Sequence, residues 1–497
     1  MKWHFTGGTG RKVEITYAED LTEAHDALRA GLTDSIILAE SETVYEPFWY
    51  RTFRYVVVKV SAGTSAVTLM NPQFRKTGFP LEVKTTIHSS SSWVNEVWDL
   101  CVRTLENCMM DTYMDCPFYE QMQYPMDTRL QASFTYAVSG DARLPKKALY
   151  DFHRAMTPTG LIPGKAPTGY MQVISTFSLH YILMLFDYYQ QTGETDILYE
   201  LRSDVDGMLE YYAAHIRKED GLMGHPGYWA FVDWQDAWEE NGGEPTALKE
   251  GGSALISLLY GYTLLCAARI MEATERPAIA EEYRIRQKAI AAAVNASCWD
   301  SDRQLYREGP NHIQFSQHTQ SWAVLNGLKK GSEAAELLQR TVDCENVLKC
   351  SFSTSNEFFR ACQTADAYEL TDAAMEQWRQ LPQKGLTTCP ETPHNARSLC
   401  HAWSALPIYE MVHAMAGIES SKPGWEEIVI HPHLIGVKDL SGEAVTPVGM
   451  IGFNYKKSDT DALECELQIP EGTECFIQHR DGHRSKLSAG KNMFVLY

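Results

Sequence analysis

Residues 92–108 read SWVNEVWDLCVRTLENC, and Val94, Val97, Trp98, Cys101, Leu105 and Cys108 recur at intervals of three and four. That period lays one apolar stripe along a helix. Upstream of it the period is two. Lys12–Tyr17 alternates, Arg54–Val60 (RYVVVKV) is rich in β-branched residues, and Ala66–Met70 and Leu81–Lys84 follow the same habit. Gly7-Gly8, Gly63 and Asn71-Pro72 punctuate these runs. The first segment therefore reads as a sheet domain or half of one, and the helix at Ser92 marks a change of architecture.

Downstream, the helical period persists to about residue 416. Ile174, Phe177, Tyr181, Met184, Leu185 and Tyr188 form one stripe, and Ala402, Ala405, Leu406, Tyr409, Val412 and Ala416 another, with Pro407 inside it as a break or kink. Helices are expected at 92–110, 127–139, 144–156, 173–193, 195–216, 252–273, 277–297, 315–328, 332–343, 353–368, 371–380 and 398–416. These twelve make six antiparallel hairpins, and a closed ring of six buries every inner stripe. Three connections are longer than turns: 111–126, 221–251 and 383–397. Long loops inside a helical domain are usually functional, and in a ring they meet over the central hole. After Gly417 the strand habit returns at Glu427–His431, Ile451–Lys456, Leu463–Ile469, Cys475–His479 and Asn492–Tyr497. The expected division is 1–88 β, 89–416 helical and 417–497 β.

The chain has 497 residues, 44% hydrophobic and 22% charged, which suits a folded protein of two or three domains. Lys+Arg 44 against Asp+Glu 64 leaves −20, and such a surface repels a phosphate backbone, so nucleic acid is not the expected partner. Two uncharged stretches, 166–186 and 251–268, are interrupted by polar and glycine residues and read as buried helices, not membrane spans. Met1–Arg11 lacks an apolar leader core, and the 12 cysteines contain no CxxC. A cytoplasmic protein with reduced thiols is expected. A homodimer is the commonest assembly for such a chain, although no sequence feature specifies the interface.

No P-loop, dinucleotide fingerprint or GxSxG elbow is present. The chain offers carboxylates in aromatic-rich loops, and glycosidic cleavage needs little else: one acid to protonate the leaving oxygen, one carboxylate to activate water or attack carbon. Residues 115–127 (DCPFYEQMQYPMD) place Asp115, Glu120 and Asp127 among apolar neighbours, where an unpaired carboxyl favours its protonated form. The alternatives are a helix N-cap for Asp127 and an arginine ion pair for Glu120. Glu391 lies between Pro390 and Pro393 in an extended loop, with an exposed loop acid as the alternative. Residues 231–238 (FVDWQDAW) read as an aromatic wall beside an acid, which makes Asp233, Trp234 and Trp238 candidates for sugar contact; a core tryptophan with a capping aspartate is the alternative.

These residues resemble the bacterial α-L-rhamnosidases, glycoside hydrolase family 78. The resemblance rests on Asp115-Cys116-Pro117, Glu120 and Asp127–Gln131, flanked by Tyr45-Glu46-Pro47 and Phe53-Arg54-Tyr55. It continues through Phe231–Trp234, Phe315–His318, Thr387-Thr388 with Glu391, Arg397-Ser398, His401–Ala405 and Lys422–Trp425, in the family's order. It implies an (α/α)6 barrel between β-sandwich domains and an inverting reaction on terminal α-L-rhamnosyl residues of glycosides or oligosaccharides. Glu120 is similar to the family's general acid and Glu391 to its general base. Asp115, Asp127, Trp234 and His401 would contact the sugar. The acid/base scheme requires no metal or cofactor, and none is expected. Members usually carry further β-domains upstream of the point where this chain starts. Two other functions suit the same residues: a related barrel glycosidase of different sugar specificity, and a carbohydrate-binding protein whose catalysis has decayed.

Overall fold

The computed structural model describes residues 1–22, 28–458, 462–479 and 481–496; Tyr497, the end of one expected strand, lies outside them. Strands β1 (Trp3–Gly7), β2 (Lys12–Ala18), β3 (Leu32–Ile37), β4 (Glu42–Tyr45), β5 (Tyr55–Val60) and β6 (Val67–Leu69) form two three-stranded antiparallel sheets, ordered β4-β1-β6 and β3-β2-β5. Alternate residues Trp3 and Phe5 of β1, and Val13, Ile15 and Tyr17 of β2, build the core between them. This is a small sandwich.

Leu81–Lys84 is not a strand. The strand comes later, as β7 (Thr86–His88), and it pairs with neither N-terminal sheet. It forms the edge of the C-terminal five-stranded sheet, with Gly442 opposite Ile87. Near that contact Thr85 donates its hydroxyl to the Ala137 carbonyl and receives the Val445 N–H.

The helices are α1 (Ser92–Asn107), α2 (Pro125–Ser139), α3 (Arg143–Arg154), α4 (Ser175–Thr192), α5 (Asp196–Ala213), α6 (Ala247–Glu250), α7 (Ala254–Ala273), α8 (Pro277–Cys298), α9 (Gln317–Leu325), α10 (Gly331–Asp343), α11 (Ser355–Thr364), α12 (Thr371–Arg379) and α13 (Pro407–Glu410). A two-stranded ribbon, β8 (Trp299–Asp300) with β9 (Leu305–Tyr306), follows α8. Helices α2, α4, α7 and α9 are buried almost all round, whereas α3, α5, α8 and α10 bury one stripe. All-round burial marks an inner ring and a single stripe an outer one. Neighbours run α2 to α4, α4 to α7, α7 to α9 and α9 to α11. The fold is an (α/α)6 barrel. The apolar stretch 254–273 is its core helix, packed in protein over most of its surface, with Arg269 and Glu272 exposed.

Eleven expected helices stand within a few residues of their expected bounds. The twelfth, 398–416, is broken into a 3₁₀ turn (Ala402–Ala405), α13 and a π turn (Met411–Met415). Proline has no N–H to donate, so Pro407 can only open a helix, and it is the first residue of α13. Residues 398–401 form no helix, and His401 itself is extended, so this segment can cross the barrel mouth.

The C-terminal strands are β10 (Ile418–Ser420), β11 (Glu427–Ile430), β12 (Asp439–Thr446), β13 (Gly449–Lys457), β14 (Leu463–Ile469), β15 (Glu474–Gln478), β16 (Arg484–Leu487) and β17 (Gly490–Leu496). Their sheets run β17-β14-β13-β12-β7 and β10-β11-β15-β16.

Candidate active site

The three long loops meet at the end of the barrel where α2 and α4 begin. They enclose a cavity of about 80 Å³. Four acids (Asp115, Glu120, Asp127, Glu391) and His401 share its lining with Tyr124, Ile174, Phe177, Trp229, Phe231, Trp234 and Trp403. Its aromatic walls are fixed by ring contacts: Phe231 lies parallel to Trp403 with centroids 6.3 Å apart, and edge-on to Phe177 at 6.0 Å.

Asp115 is fully buried. Its carboxylate receives the Met122 N–H at 2.9 Å and the Cys116 thiol at 2.9 Å, which folds the 115–122 loop into a closed ring. Burial raises its pKa to about 6, with Asp127 adding to the rise and His401 opposing it. Asp127 is not a helix N-cap. Tyr124 holds that place and Pro125 opens α2, leaving Asp127 in the first turn. There its Oδ1 faces His401 Nε2 at 3.3 Å, while Oδ2 is buried with no partner. Burial raises Asp127 as well. The His401 imidazole is pushed upward: burial opposes its charge, but the hydrogen bonds to Asp127 and Cys116 prevail.

Glu120 contradicts the expectation of a raised carboxyl. Burial lifts it, yet hydrogen bonds from Arg397 and from Tyr124 (2.7 Å to Oε2) outweigh that and lower its pKa. The ion-pair alternative is therefore realised. Arg397 also brings Nε to 3.9 Å from Glu391 Oε2, so one half-exposed guanidinium touches both glutamates. Glu391 is held by its backbone: its N–H donates to the Ser398 carbonyl (3.0 Å) and its carbonyl accepts the Trp403 indole N–H (2.8 Å).

The N-terminal sandwich supports both carboxylate loops. Trp49 donates to Gln121 Oε1 (2.8 Å), Arg29 to the Ala396 carbonyl (3.0 Å) and Arg54 to the Gly385 carbonyl (2.9 Å). Glu19 accepts the Leu399 N–H at 3.1 Å.

Asp233 and Trp238 lie outside the lining. Asp233 is wholly buried and receives His318 Nε2 (2.7 Å), the Ser351 N–H (3.0 Å) and the hydroxyls of Ser351, Ser353 (2.9 Å) and Thr354 (2.7 Å). Burial works against its ionisation, but His318 and Ser351 prevail and lower its pKa to about 2. Trp238 is equally buried, its ring 5.2 Å from that of His318 and its N–H on Gln314. Trp234, the residue between them in the expectation, is 38% exposed and stands at the mouth.

Sequence reasoning missed roles for Tyr124, Arg397 and Trp403. For Arg397 a signal existed, since it is the one Lys or Arg between Gly385 and Cys400. Asp115, Cys116 and His401 bring ligand atoms within 4.8 Å of one another. Burial pushes the Cys116 thiol up to about 11 and Cys116 already donates to Asp115, which disfavours the thiolate a metal requires.

Residues 82–415 match the model of the bacterial α-L-rhamnosidase six-hairpin glycosidase domain, and residues 417–494 that of the bacterial α-L-rhamnosidase C-terminal domain. No curated protein matches the chain. Among solved structures, a GH78 rhamnosidase of Bacillus sp. GL1 superposes with a TM-score of 0.87 at 22% identity, covering 99% of this chain and 53% of that one. An α-L-rhamnosidase from Aspergillus terreus gives 0.79 at 15% identity, over 99% and 60%. The Streptomyces avermitilis α-L-rhamnosidase complexed with L-rhamnose gives 0.78 at 16%, over 100% and 51%. The chain thus spans a little over half the length of these structures, and at such identities the likeness is one of fold.

Proposed function

Because this chain belongs to the bacterial α-L-rhamnosidase family, we propose that it is an exo-acting inverting glycosidase that releases terminal α-L-rhamnose from glycosides or oligosaccharides. Glu120 is the general acid and Glu391 the general base. The observation that carries this reading is the pair itself: two glutamates from distant loops reach the same guanidinium across one aromatic pocket. In an inverting enzyme the carboxyl groups stand roughly 6.5–9.5 Å apart, leaving room for a water. Here the Arg397 guanidinium contacts both carboxylates.

The reaction follows from the surroundings. The Arg397 guanidinium stands against both glutamates, where the reacting bond would lie, so Arg397 moves aside as the sugar enters. Arg397 is half-exposed. Its departure removes the strongest hydrogen bond favouring ionised Glu120 and leaves burial in control, which favours the protonated acid. Glu120 then gives its proton to the glycosidic oxygen as the bond to the anomeric carbon breaks. Glu391 takes a proton from water, whose oxygen attacks that carbon from the opposite face. Asp127 Oδ2 and the Asp115 carboxylate accept sugar hydroxyls, and Trp403 and Trp234 offer apolar faces to ring C–H groups.

Glu120→Gln and Glu391→Gln each test this. On an aryl α-L-rhamnoside, kcat is expected to fall by at least ~10³ for either variant, with circular dichroism unchanged, and proton NMR of the wild-type reaction should show β-rhamnose first. Near-full activity in either variant would end the assignment.

A further inference from the structure

The barrel and the C-terminal sheets also meet at Asp366, His431 and His433, none of which lines the sugar pocket. We propose that these three side chains bind a late first-row divalent cation of the Zn²⁺ class, pinning the C-terminal sheet to the barrel. Each offers a ligand atom, and these atoms lie within 4.8 Å of one another. Zinc–nitrogen bonds are about 2.0–2.1 Å, so closing onto an ion asks for modest side-chain rotations.

The backbone holds the two imidazoles together. His431 and His433 stand two residues apart just past β11, and their rings lie 4.3 Å apart. His431 donates its N–H to the Gly417 carbonyl (2.8 Å), and His433 donates to the Ala414 carbonyl (3.1 Å) at the end of the last barrel turn. The approach is closest at Gly417, where a Cβ would stand 2.2 Å from the His431 carbonyl carbon. Any other residue would push this seat apart.

Asp366 comes from the barrel side, in the turn after α11 with φ +54°. Among the described residues no ion pair or hydrogen bond engages its carboxylate. Gln478 Nε2 lies 3.4 Å from His431 Nδ1, and the His433 ring packs 5.3 Å from that of Tyr368, so both rings have supports outside the trio. The nearby cation, Arg484, is met by Glu427 at 3.7 Å. Two imidazoles with one carboxylate favour Zn²⁺, Co²⁺ or Ni²⁺ over the oxygen-seeking Ca²⁺ and Mg²⁺.

The test is a Co²⁺ titration of the full chain after chelation and dialysis, followed by d–d absorption and Zn²⁺ displacement. One equivalent per chain is expected, with a rise in Tm on loading. Asp366→Asn and His433→Ala should each weaken Co²⁺ binding by ~100-fold and abolish the Tm rise, with circular dichroism unchanged. His483→Ala, in a separate histidine pair, should leave both intact. Uptake that is absent below ~1 mM, unaltered by the first two substitutions, or lost with the third overturns the proposal.

Discussion

Asp127 with His401 lines the cavity of the candidate site, and Asp233 with His318 lies buried outside it. Both aspartates are hidden from solvent and both face an imidazole. Asp233 meets its histidine at 2.7 Å and has hydroxyl and amide donors on both oxygens. Asp127 meets its histidine at a loose 3.3 Å and leaves one buried oxygen without a donor. The same two residue types thus give a carboxylate with both oxygens bonded in one place and a carboxylate with an unmet buried oxygen in the other. Burial alone does not separate the two aspartates; the unmet oxygen of Asp127 does.

The contrast is sharpest under truncation. Asp233→Ala strands a buried histidine and the donors at the start of α11, and is expected to cost ~3–5 kcal/mol in denaturant unfolding. Asp127→Ala removes an acid that already lacks a full complement of partners. Its unfolding free energy should change by less than ~1 kcal/mol, while kcat/KM on the aryl rhamnoside falls by ~10² or more. A large stability loss for Asp127→Ala would erase the distinction between the pairs.

Acid titration tests the same idea with a smaller effect. Asp115 is raised to about 6, so between pH 4 and 6 the folded chain holds a proton that the unfolded chain has released. Stability contributed by this group therefore declines as pH rises through that window, by ~2–3 kcal/mol. Asp233, depressed to about 2, acts oppositely: its contribution is present above the ordinary aspartate pKa and is lost as pH falls through 4 towards 2. Asp115→Asn should flatten the slope between pH 4 and 6, and Asp233→Asn the one below it, in unfolding curves taken across pH. The smallest effect is expected at Arg397. Arg397→Ala removes the donor that lowers Glu120, so the basic limb of the kcat/KM profile should move to higher pH.

The helical period placed eleven barrel helices from sequence, since a buried stripe leaves its mark residue by residue. The carboxylates of 115–127 and Glu391 stand out in the sequence as acids in aromatic-rich loops, and the fold brings them to one cavity. Asp233 and Trp234 were not separable. They are neighbours in one loop, and linear sequence does not say which side chain turns to the pocket. Trp234 faces the mouth and Asp233 the base of α11. Arg397 was quoted without a role because its partner, Glu120, is remote along the chain. The fate of Leu81–Lys84 was hidden for a similar reason: strand pairing is a long-range choice, and the partner of β7 is β12.

That last pairing bears on how the gene can be cut. A cloning boundary drawn after residue 88 looks natural, yet it discards the outermost rung of the opposite terminus's sheet and leaves β12 with an unpaired row of amides and carbonyls, ready to recruit neighbouring molecules into aggregates. During synthesis the ribosome delivers this rung several hundred residues before its acceptor, so the sheet is finished only when residues 441–443 return to residues 86–88.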